Sequence, residues 1–195
     1  MKKFAIATGL IISCAALVGC SSDSTAPDST ETTTASSEAS QITFTTDQGA
    51  ITIKTDPAAP ETVAAQTKLA DDGYFDGTPC HRVVTEGIYV LQCGDPTGTG
   101  TGGPGYQLPD ENLPEATGDN YPVGTVAMAN SGPNTAGSQF FVVYEDTTLP
   151  PGYTIWGEVT EGLDVVKDIA KSSKSKGVTD GPPKPAVEIE SAVAS

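Results

Sequence analysis

Short segments in which apolar and polar residues alternate constrain the fold of this chain more than any other feature. Residues 42–46 (ITFTT) and 51–54 (ITIK) alternate on either side of Asp47-Gln48-Gly49, which predicts a β-hairpin with one buried face. Six further segments predict strands, at 80–84, 88–92, 125–129, 139–143, 154–159 and 187–190. We therefore expect about eight short strands.

Only two segments favour a helix. Residues 57–72 lack the alternation and are rich in Ala, Glu, Gln and Lys, with Pro60 suited to the first turn and Gly73 to the C-terminal end. Residues 162–170 place their apolar side chains on one helical face. Strands and helices do not alternate regularly, and 21 glycines and 15 prolines mark many turns, so we expect an antiparallel barrel or sandwich.

The N-terminus has the layout of a secretory signal. Lys2 and Lys3 precede an apolar run that is shorter than the ~20 residues needed to span a bilayer. Leu17-Val18-Gly19-Cys20 resembles a bacterial lipobox, in which cleavage precedes the cysteine and the cysteine carries lipid. We predict that residues 1–19 are a lipoprotein signal peptide and that lipidated Cys20 anchors the exported protein to the outer face of the cell membrane. A plain signal peptide and an uncleaved anchor are the alternatives.

A linker is predicted to follow the signal. Residues 21–41 contain twelve Ser or Thr and four acidic residues, with no basic and no aromatic residue. Such a segment cannot bury enough apolar surface to offset its conformational entropy, which predicts a disordered tether over 20–41. The folded domain is then expected over residues 42–195.

Composition and spacing exclude several functions. Ten basic residues face 25 acidic ones, and a surface this acidic repels phosphate, so nucleic acid is not an expected partner. His81 is the sole histidine, which excludes a multi-histidine metal site; no metal or other cofactor is predicted. Residues 98–103 match the glycine pattern of dinucleotide sites, but Pro104-Gly105 does not open a helix. Ser138 is not in a nucleophile elbow, which argues against a serine hydrolase.

The sole arginine is a candidate functional residue. Arg82 lies in an apolar strand pair, where a charge needs partners, and Gln92 on the facing strand could brace it. Tyr89, Met128 and Phe141 could supply an apolar, partly aromatic pocket beside it.

Two cysteines remain after export. Cys80 and Cys93 flank the same strand pair, and an exported protein is exposed to oxidising conditions. A bridge closing this loop would stabilise the fold by about 3 kcal/mol in the chain-entropy model. Two buried free thiols are an equal alternative, because pairing geometry cannot be read from the sequence.

Three segments carry a family resemblance. They are His81-Arg82-Val83, the run 92–103 (QCGDPTGTGTGG) and the run 128–141 (MANSGPNTAGSQFF). In this order they resemble the cyclophilin-type peptidyl-prolyl isomerases, and the similarity covers nearly all of 42–195. The resemblance implies a mainly β fold, a closed eight-stranded antiparallel barrel capped by two helices.

The resemblance also implies roles for individual residues. Arg82 matches the catalytic arginine, and Gln92 matches the glutamine that orients it. The implied substrate-binding residues are Tyr89, Val90, Met128, Ala129, Asn130, Ser131, Gln139, Phe141, Leu149 and Tyr153. Thr148 replaces a loop tryptophan that the family uses to bind cyclosporin, so we expect weakened cyclosporin binding.

The implied function is rotation about Xaa-Pro peptide bonds during the folding of exported proteins. The expected partners are proline-containing peptides, unfolded exported proteins and, through the lipid, the membrane; the protein is expected to be a monomer. A non-catalytic binder of proline-containing segments is the first alternative, and an inert surface domain is the second.

Overall fold

The computed structural model describes residues 39–195, which form ten strands and two helices. The strands are β1 (Gln41–Thr46), β2 (Gly49–Thr55), β3 (Thr78–Pro79), β4 (Arg82–Val84), β5 (Val90–Cys93), β6 (Thr125–Met128), β7 (Phe140–Val143), β8 (Ile155–Glu161), β9 (Asp180–Gly181) and β10 (Glu188–Ala194). The helices are α1 (Pro60–Asp71) and α2 (Leu163–Ser175). The predictions of a signal peptide over 1–19 and of lipid on Cys20 lie outside the described residues, as does most of the predicted linker.

The helix termini follow the expected chemistry. Pro60 begins α1, where its missing amide hydrogen removes no helical hydrogen bond. Gly73 follows α1 with φ of +69°, a left-handed conformation that glycine adopts without steric cost. Helix α2 extends beyond the predicted 170 to Ser175, because Ser173 is buried and continues the packed face. No helix in the described part of the chain combines the length and apolar character required to cross a bilayer.

The strands form one sheet in the order β3-β10-β1-β2-β8-β6-β7-β5-β4-β9, with antiparallel pairing throughout. The prediction of a closed eight-stranded barrel is wrong. The sheet is an open, curled half-barrel of ten strands, and its end strands β3 and β9 are each two residues long. Prolines lie at both end strands: Pro79 is the last residue of β3 and Pro182-Pro183 follow β9, and proline, which has no amide hydrogen to donate, is suited to short edge strands.

One face of the sheet and both helices enclose the main hydrophobic core. Phe44, Phe75, Phe140 and Trp156 form its aromatic centre, and the Phe140 ring lies 4.9 Å from the ring of Phe44 and 5.9 Å from that of Trp156. We call this set, together with the aliphatic residues packed on it, the core cluster. Burial of this surface is the main source of stability for the fold.

A second, smaller apolar cluster lies on the opposite face of β4, β5, β6 and β7. Its members are Val84, Val90, Tyr121, Ala127, Phe141 and Val143, with Ile88, Ala129, Leu149, Tyr153 and Ile155 packed against them. We call this set the cleft cluster. Side chains alternate between the two faces of a strand, so neighbours such as Phe140 and Phe141 belong to different clusters.

Candidate active site

A cleft of about 550 Å³ lies over the cleft cluster. Its apolar lining comes from Ile88, Val90, Ala129, Phe141, Leu149 and Tyr153, and its polar lining includes His81, Arg82, Gln92, Asn130 and Asp180. An apolar hollow of this size with a few convergent polar groups is typical of a small-ligand site. The cleft is therefore the candidate active site.

The strand register places the central residues of the cleft in one row. Arg82 on β4 lies opposite Gln92 on β5, Gln92 lies opposite Phe141 on β7, and Phe141 lies opposite Ala127 on β6. Directly opposed residues of an antiparallel sheet project from the same face. Backbone pairing alone therefore brings the predicted arginine, glutamine and phenylalanine together.

The Arg82 guanidinium is held from two sides. Its Nε donates to Asp180 Oδ1 at 2.7 Å and its Nη2 donates to Asp180 Oδ2 at 2.8 Å, while Nη1 lies 3.5 Å from Gln92 Oε1. The hydrogen bond that Arg82 donates to Asp180 raises the pKa of Arg82, and the same contact lowers the pKa of the Asp180 carboxyl. Arg82 is thus a fixed cation at the rim of the cleft.

A chain of hydrogen bonds fixes the side chain of Gln92. Its Nε2 donates to Gln139 Oε1 at 2.9 Å, and Gln139 Nε2 donates to the carbonyl oxygen of Gly102 at 2.8 Å. With its amide nitrogen used in this way, Gln92 turns its carbonyl oxygen toward Arg82. Gln139 therefore acts on the site through Gln92, although it does not line the cleft.

The glycine-rich loop that contains Gly102, where this series of hydrogen bonds ends, is organised by a buried carboxylate. Asp95 accepts hydrogen bonds from the backbone amides of Thr97, Thr99, Gly100 and Gly102, at 2.7 to 3.1 Å. Burial alone would raise the pKa of Asp95, but the hydrogen bonds from Thr97, Gly102 and Gly100 hold it well below its usual value. The segment is a loop with no helix after it, which agrees with the rejection of a dinucleotide site.

The far wall of the cleft is a loop that the half-buried Asn120 and the buried Tyr121 hold in place. Asn120 Nδ2 donates to the carbonyl oxygen of Leu149 at 2.8 Å, and Asn120 Oδ1 accepts from the amide of Leu149 at 3.0 Å. The Tyr121 hydroxyl donates to the carbonyl oxygen of Tyr153 at 3.1 Å. The Tyr153 ring lies 5.6 Å from the ring of Phe141, and Leu149 and Tyr153 both line the cleft.

The segment after β6 links the cleft to a neighbouring groove. Ala129 and Asn130 line both, and Ser131 and Gln139 line only the groove, which has a volume of about 700 Å³. Asn130 Nδ2 donates to the carbonyl oxygen of Gly152 at 2.6 Å, which ties this segment to the far wall.

Two residues predicted for the pocket lie elsewhere. Met128 is fully buried in the core cluster, where its sulfur lies 3.5 Å from Gln66 Nε2. Tyr89 faces a separate groove beside α2, and its ring lies 6.0 Å from that of Tyr144. Ile88, in the bend before β5, lines the cleft with Val90 and occupies the position that was assigned to Tyr89.

The two predicted cysteines and Thr148 do not line the cleft. Cys80 and Cys93 are joined in a disulfide whose side chains belong to the core cluster. Thr148 does not line the cleft, and its hydroxyl accepts from the amide of Asp119 at 3.0 Å. Among residues 39–195, no group of three or more His, Cys, Asp or Glu is arranged to hold a metal ion.

Asp180 is a site residue that the sequence analysis missed. A charge in an apolar strand pair signals that an acidic partner exists. The chain contains 25 acidic residues, however, and the partner lies 98 positions after Arg82. Only the pairing of β9 with β4 identifies it.

Comparison with known proteins agrees with this geometry. The family model described as cyclophilin type peptidyl-prolyl cis-trans isomerase/CLD matches residues 41–194. The chain is 45% identical over 160 residues to the probable peptidyl-prolyl cis-trans isomerase B of Mycobacterium tuberculosis, with 76% of this chain and 51% of that protein covered. It is 43% identical over 122 residues to peptidyl-prolyl cis-trans isomerase B of Bacillus subtilis, with 62% of this chain and 82% of that protein covered.

A solved structure is also similar. The Cryptosporidium parvum cyclophilin type peptidyl-prolyl cis-trans isomerase, crystallised in the presence of the dipeptide Ala-Pro, superposes with a TM-score of 0.67 at 29% identity. The alignment covers 80% of this chain and 98% of that one. The chain spans about half the length of the mycobacterial relatives it matches. From the family match, these identities and the shared fold, we conclude that this chain belongs to the cyclophilin-type peptidyl-prolyl cis-trans isomerase family.

Proposed function

We propose that this chain is a peptidyl-prolyl cis-trans isomerase that catalyses rotation about Xaa-Pro peptide bonds. The observation that carries the proposal is the Arg82 guanidinium, held by Asp180 and Gln92 at the rim of an apolar cleft. The Mycobacterium and Bacillus relatives are named as isomerases, and the Cryptosporidium relative was crystallised in the presence of Ala-Pro, which supports the same substrate class here.

The chemistry needs a hydrogen-bond donor rather than a nucleophile. Resonance between the carbonyl group and the imide nitrogen gives the bond a rotation barrier of ~18–20 kcal/mol. When the bond twists, the nitrogen lone pair localises and becomes a better acceptor. A guanidinium N–H aimed at that nitrogen therefore binds the twisted state more tightly than the planar one, which lowers the barrier.

The cleft would bind the proline side of the substrate. The apolar surfaces of Phe141, Leu149 and Ile88 suit a pyrrolidine ring, and backbone groups near Asn130 would hold the flanking peptide. The adjoining groove lined by Ser131 gives the extended chain a route away from the cleft. With one side of the bond held, the other side is free to rotate.

Comparison of the full-length wild type with Arg82→Ala tests the proposal. Isomerisation of an Ala-Pro peptide should be accelerated by the wild type, and kcat/KM should fall by roughly 100-fold or more in the variant. Circular dichroism should show that the variant is folded. If the wild type binds the peptide but turns it over no faster than the variant, the chain is a binder of proline-containing segments and not an enzyme.

We further propose that the protein is an exported lipoprotein that assists the folding of other exported proteins. The lipobox-like segment ending at Cys20 supports the anchor, and the Cys80–Cys93 disulfide suits an oxidising compartment. Metabolic labelling with a radioactive fatty acid should label the wild type and leave Cys20→Ser unlabelled. The proposed anchor would be refuted if both proteins were labelled equally or if the wild type were not labelled at all.

Weak cyclosporin binding also remains a prediction. Thr148 stands where the family places its loop tryptophan, so the aromatic contact with cyclosporin is lost. Titration with cyclosporin should give weak inhibition, which Thr148→Trp strengthens. Tight inhibition of the wild type would refute it.

A further inference from the structure

The guanidinium of Arg82 has a partner on β9, the strand at one edge of the sheet. Strand β9 pairs with β4 in a register that places Asp180 opposite Val84 and Gly181 opposite Val83. Asp180 is therefore a diagonal neighbour of Arg82 on the same face, within reach of a long side chain. This short strand brings the Asp180 carboxylate to the rim of the cleft.

The backbone of this strand is anchored independently of the ion pair. The amide of Thr85 donates to the carbonyl oxygen of Thr179 at 2.9 Å, and the Thr85 hydroxyl donates to the carbonyl oxygen of Val178 at 2.8 Å. Thr85 and Val178 are both buried. The carboxylate of Asp180 is thus presented from a fixed backbone.

The two short contacts leave part of the guanidinium free. A guanidinium has five N–H groups in a planar fork. Asp180 accepts from the Nε–H and from one Nη2–H, and Gln92 faces one Nη1–H. One N–H on each terminal nitrogen therefore remains available to a substrate.

Asp180 holds the guanidinium more firmly than Gln92 does. The contacts to Asp180 are 2.7 and 2.8 Å, bidentate and between opposite charges, whereas the contact to Gln92 is a single one of 3.5 Å to a neutral amide. An arginine side chain has several rotatable bonds, so its direction depends on the partner that fixes its fork. That partner here is Asp180.

We propose that Asp180 is a positioning residue for Arg82, which locks the Nε and Nη2 edge of the guanidinium and directs the remaining N–H groups at the prolyl nitrogen. This inference rests on the proposed isomerase function. Asp180 itself need not touch the substrate, so its removal should lower kcat more than it raises KM.

Three full-length variants test the role of Asp180. Asp180→Ala removes both acceptor oxygens, Asp180→Asn keeps one, and Asp168→Asn removes an equal charge from the exposed surface of α2. We expect kcat for an Ala-Pro peptide to fall by about ten-fold in Asp180→Ala and by less in Asp180→Asn, with KM changed by less than about two-fold. Asp168→Asn should match the wild type.

A spectroscopic readout reports on the contact without relying on activity. Because Arg82 is the only arginine in the chain, a ¹H–¹⁵N NMR spectrum contains a single arginine Nε signal. That signal should exchange slowly with water in the wild type and in Asp168→Asn, and at least about ten-fold faster in Asp180→Ala, because the hydrogen bond protects the proton.

Two results would overturn the inference. One is an active wild type whose kcat is equalled or exceeded by Asp180→Ala, and the other is an Nε exchange rate that does not change in Asp180→Ala. A wild type without isomerase activity would instead refute the proposed function, and the NMR measurement would still decide whether Asp180 holds Arg82.

Discussion

The two faces of the sheet around Arg82 are built from alternate residues of the same four strands, yet they have different compositions. On the core face, Val83, Leu91 and Val142 are essentially inaccessible and contact only the interior. On the cleft face, Arg82 and Gln92 are partly exposed and lie in one row with Phe141, which is buried at the base of the cleft. One face stabilises the fold and the other carries the residues of the proposed chemistry, and a register shift of one residue would exchange them.

The largest expected effect lies on the core face. Leu91→Ala should lower the free energy of unfolding by about 2–5 kcal/mol, because it leaves a cavity in a close-packed interior. Urea denaturation measures the loss. Below the unfolding transition kcat/KM should stay close to the wild-type value, and a large drop in activity of the folded variant would show that the two faces are not independent.

The disulfide supports the core face beside strands β4 and β5. Replacing Cys80 and Cys93 together by alanine should lower the free energy of unfolding by about 3 kcal/mol, since the loop of the unfolded chain is no longer closed. The same measurement on the wild type with a reducing agent should give a similar loss. Equal stability of the oxidised and reduced wild type would show that the bridge does not support this face.

A pair of neighbouring residues tests the assignment of the faces directly. Ile88→Ala should raise KM for an Ala-Pro peptide by roughly three- to ten-fold, because the side chain lines the cleft. Tyr89→Phe should leave KM and kcat unchanged, because Tyr89 faces the groove beside α2. The opposite result in steady-state kinetics would restore the position of Tyr89 that the sequence predicted.

The smallest expected effect concerns the only histidine, at the edge of the cleft. Burial lowers the pKa of His81 below its usual 6.5, so acid protonates the unfolded chain before the folded one. The contribution of neutral His81 to the free energy of unfolding is complete above about pH 7. It is lost as the pH falls through 6.5 toward the lower pKa of the folded state. Urea denaturation at pH 7.5 and 5.5 should show that the wild type loses more stability at the lower pH than His81→Gln does. Equal losses in the two proteins would contradict this prediction.

Much of the architecture could be predicted from local patterns. The alternation in 42–46 and 51–54 predicted the first hairpin, and the pairing of Ile42 with Ile53 and of Phe44 with Ile51 confirms it. Pro60 and Gly73 marked the two ends of α1. These features depend on residues close together in the chain, where dihedral preferences and side-chain periodicity are decisive.

Part of the cleft could also be predicted, because the family motifs name its residues. Arg82, Gln92 and Phe141 lie together as the resemblance implied. Met128 does not join them, because strict alternation turns its side chain into the core cluster. The motif identified the segment, but the alternation of side chains between the two faces of the strand decided which of them reach the cleft.

The sequence by itself determined eight of the ten strand segments, both ends of α1 and the sole arginine suited to the proposed chemistry. Only the tertiary structure decided the partner of that arginine, the residue that lines the cleft at position 88, and the open edge of the sheet. The physical reason is that periodicity and dihedral preference act over a few residues. The contact between Arg82 and Asp180, by contrast, depends on the pairing of two strands separated by most of the domain.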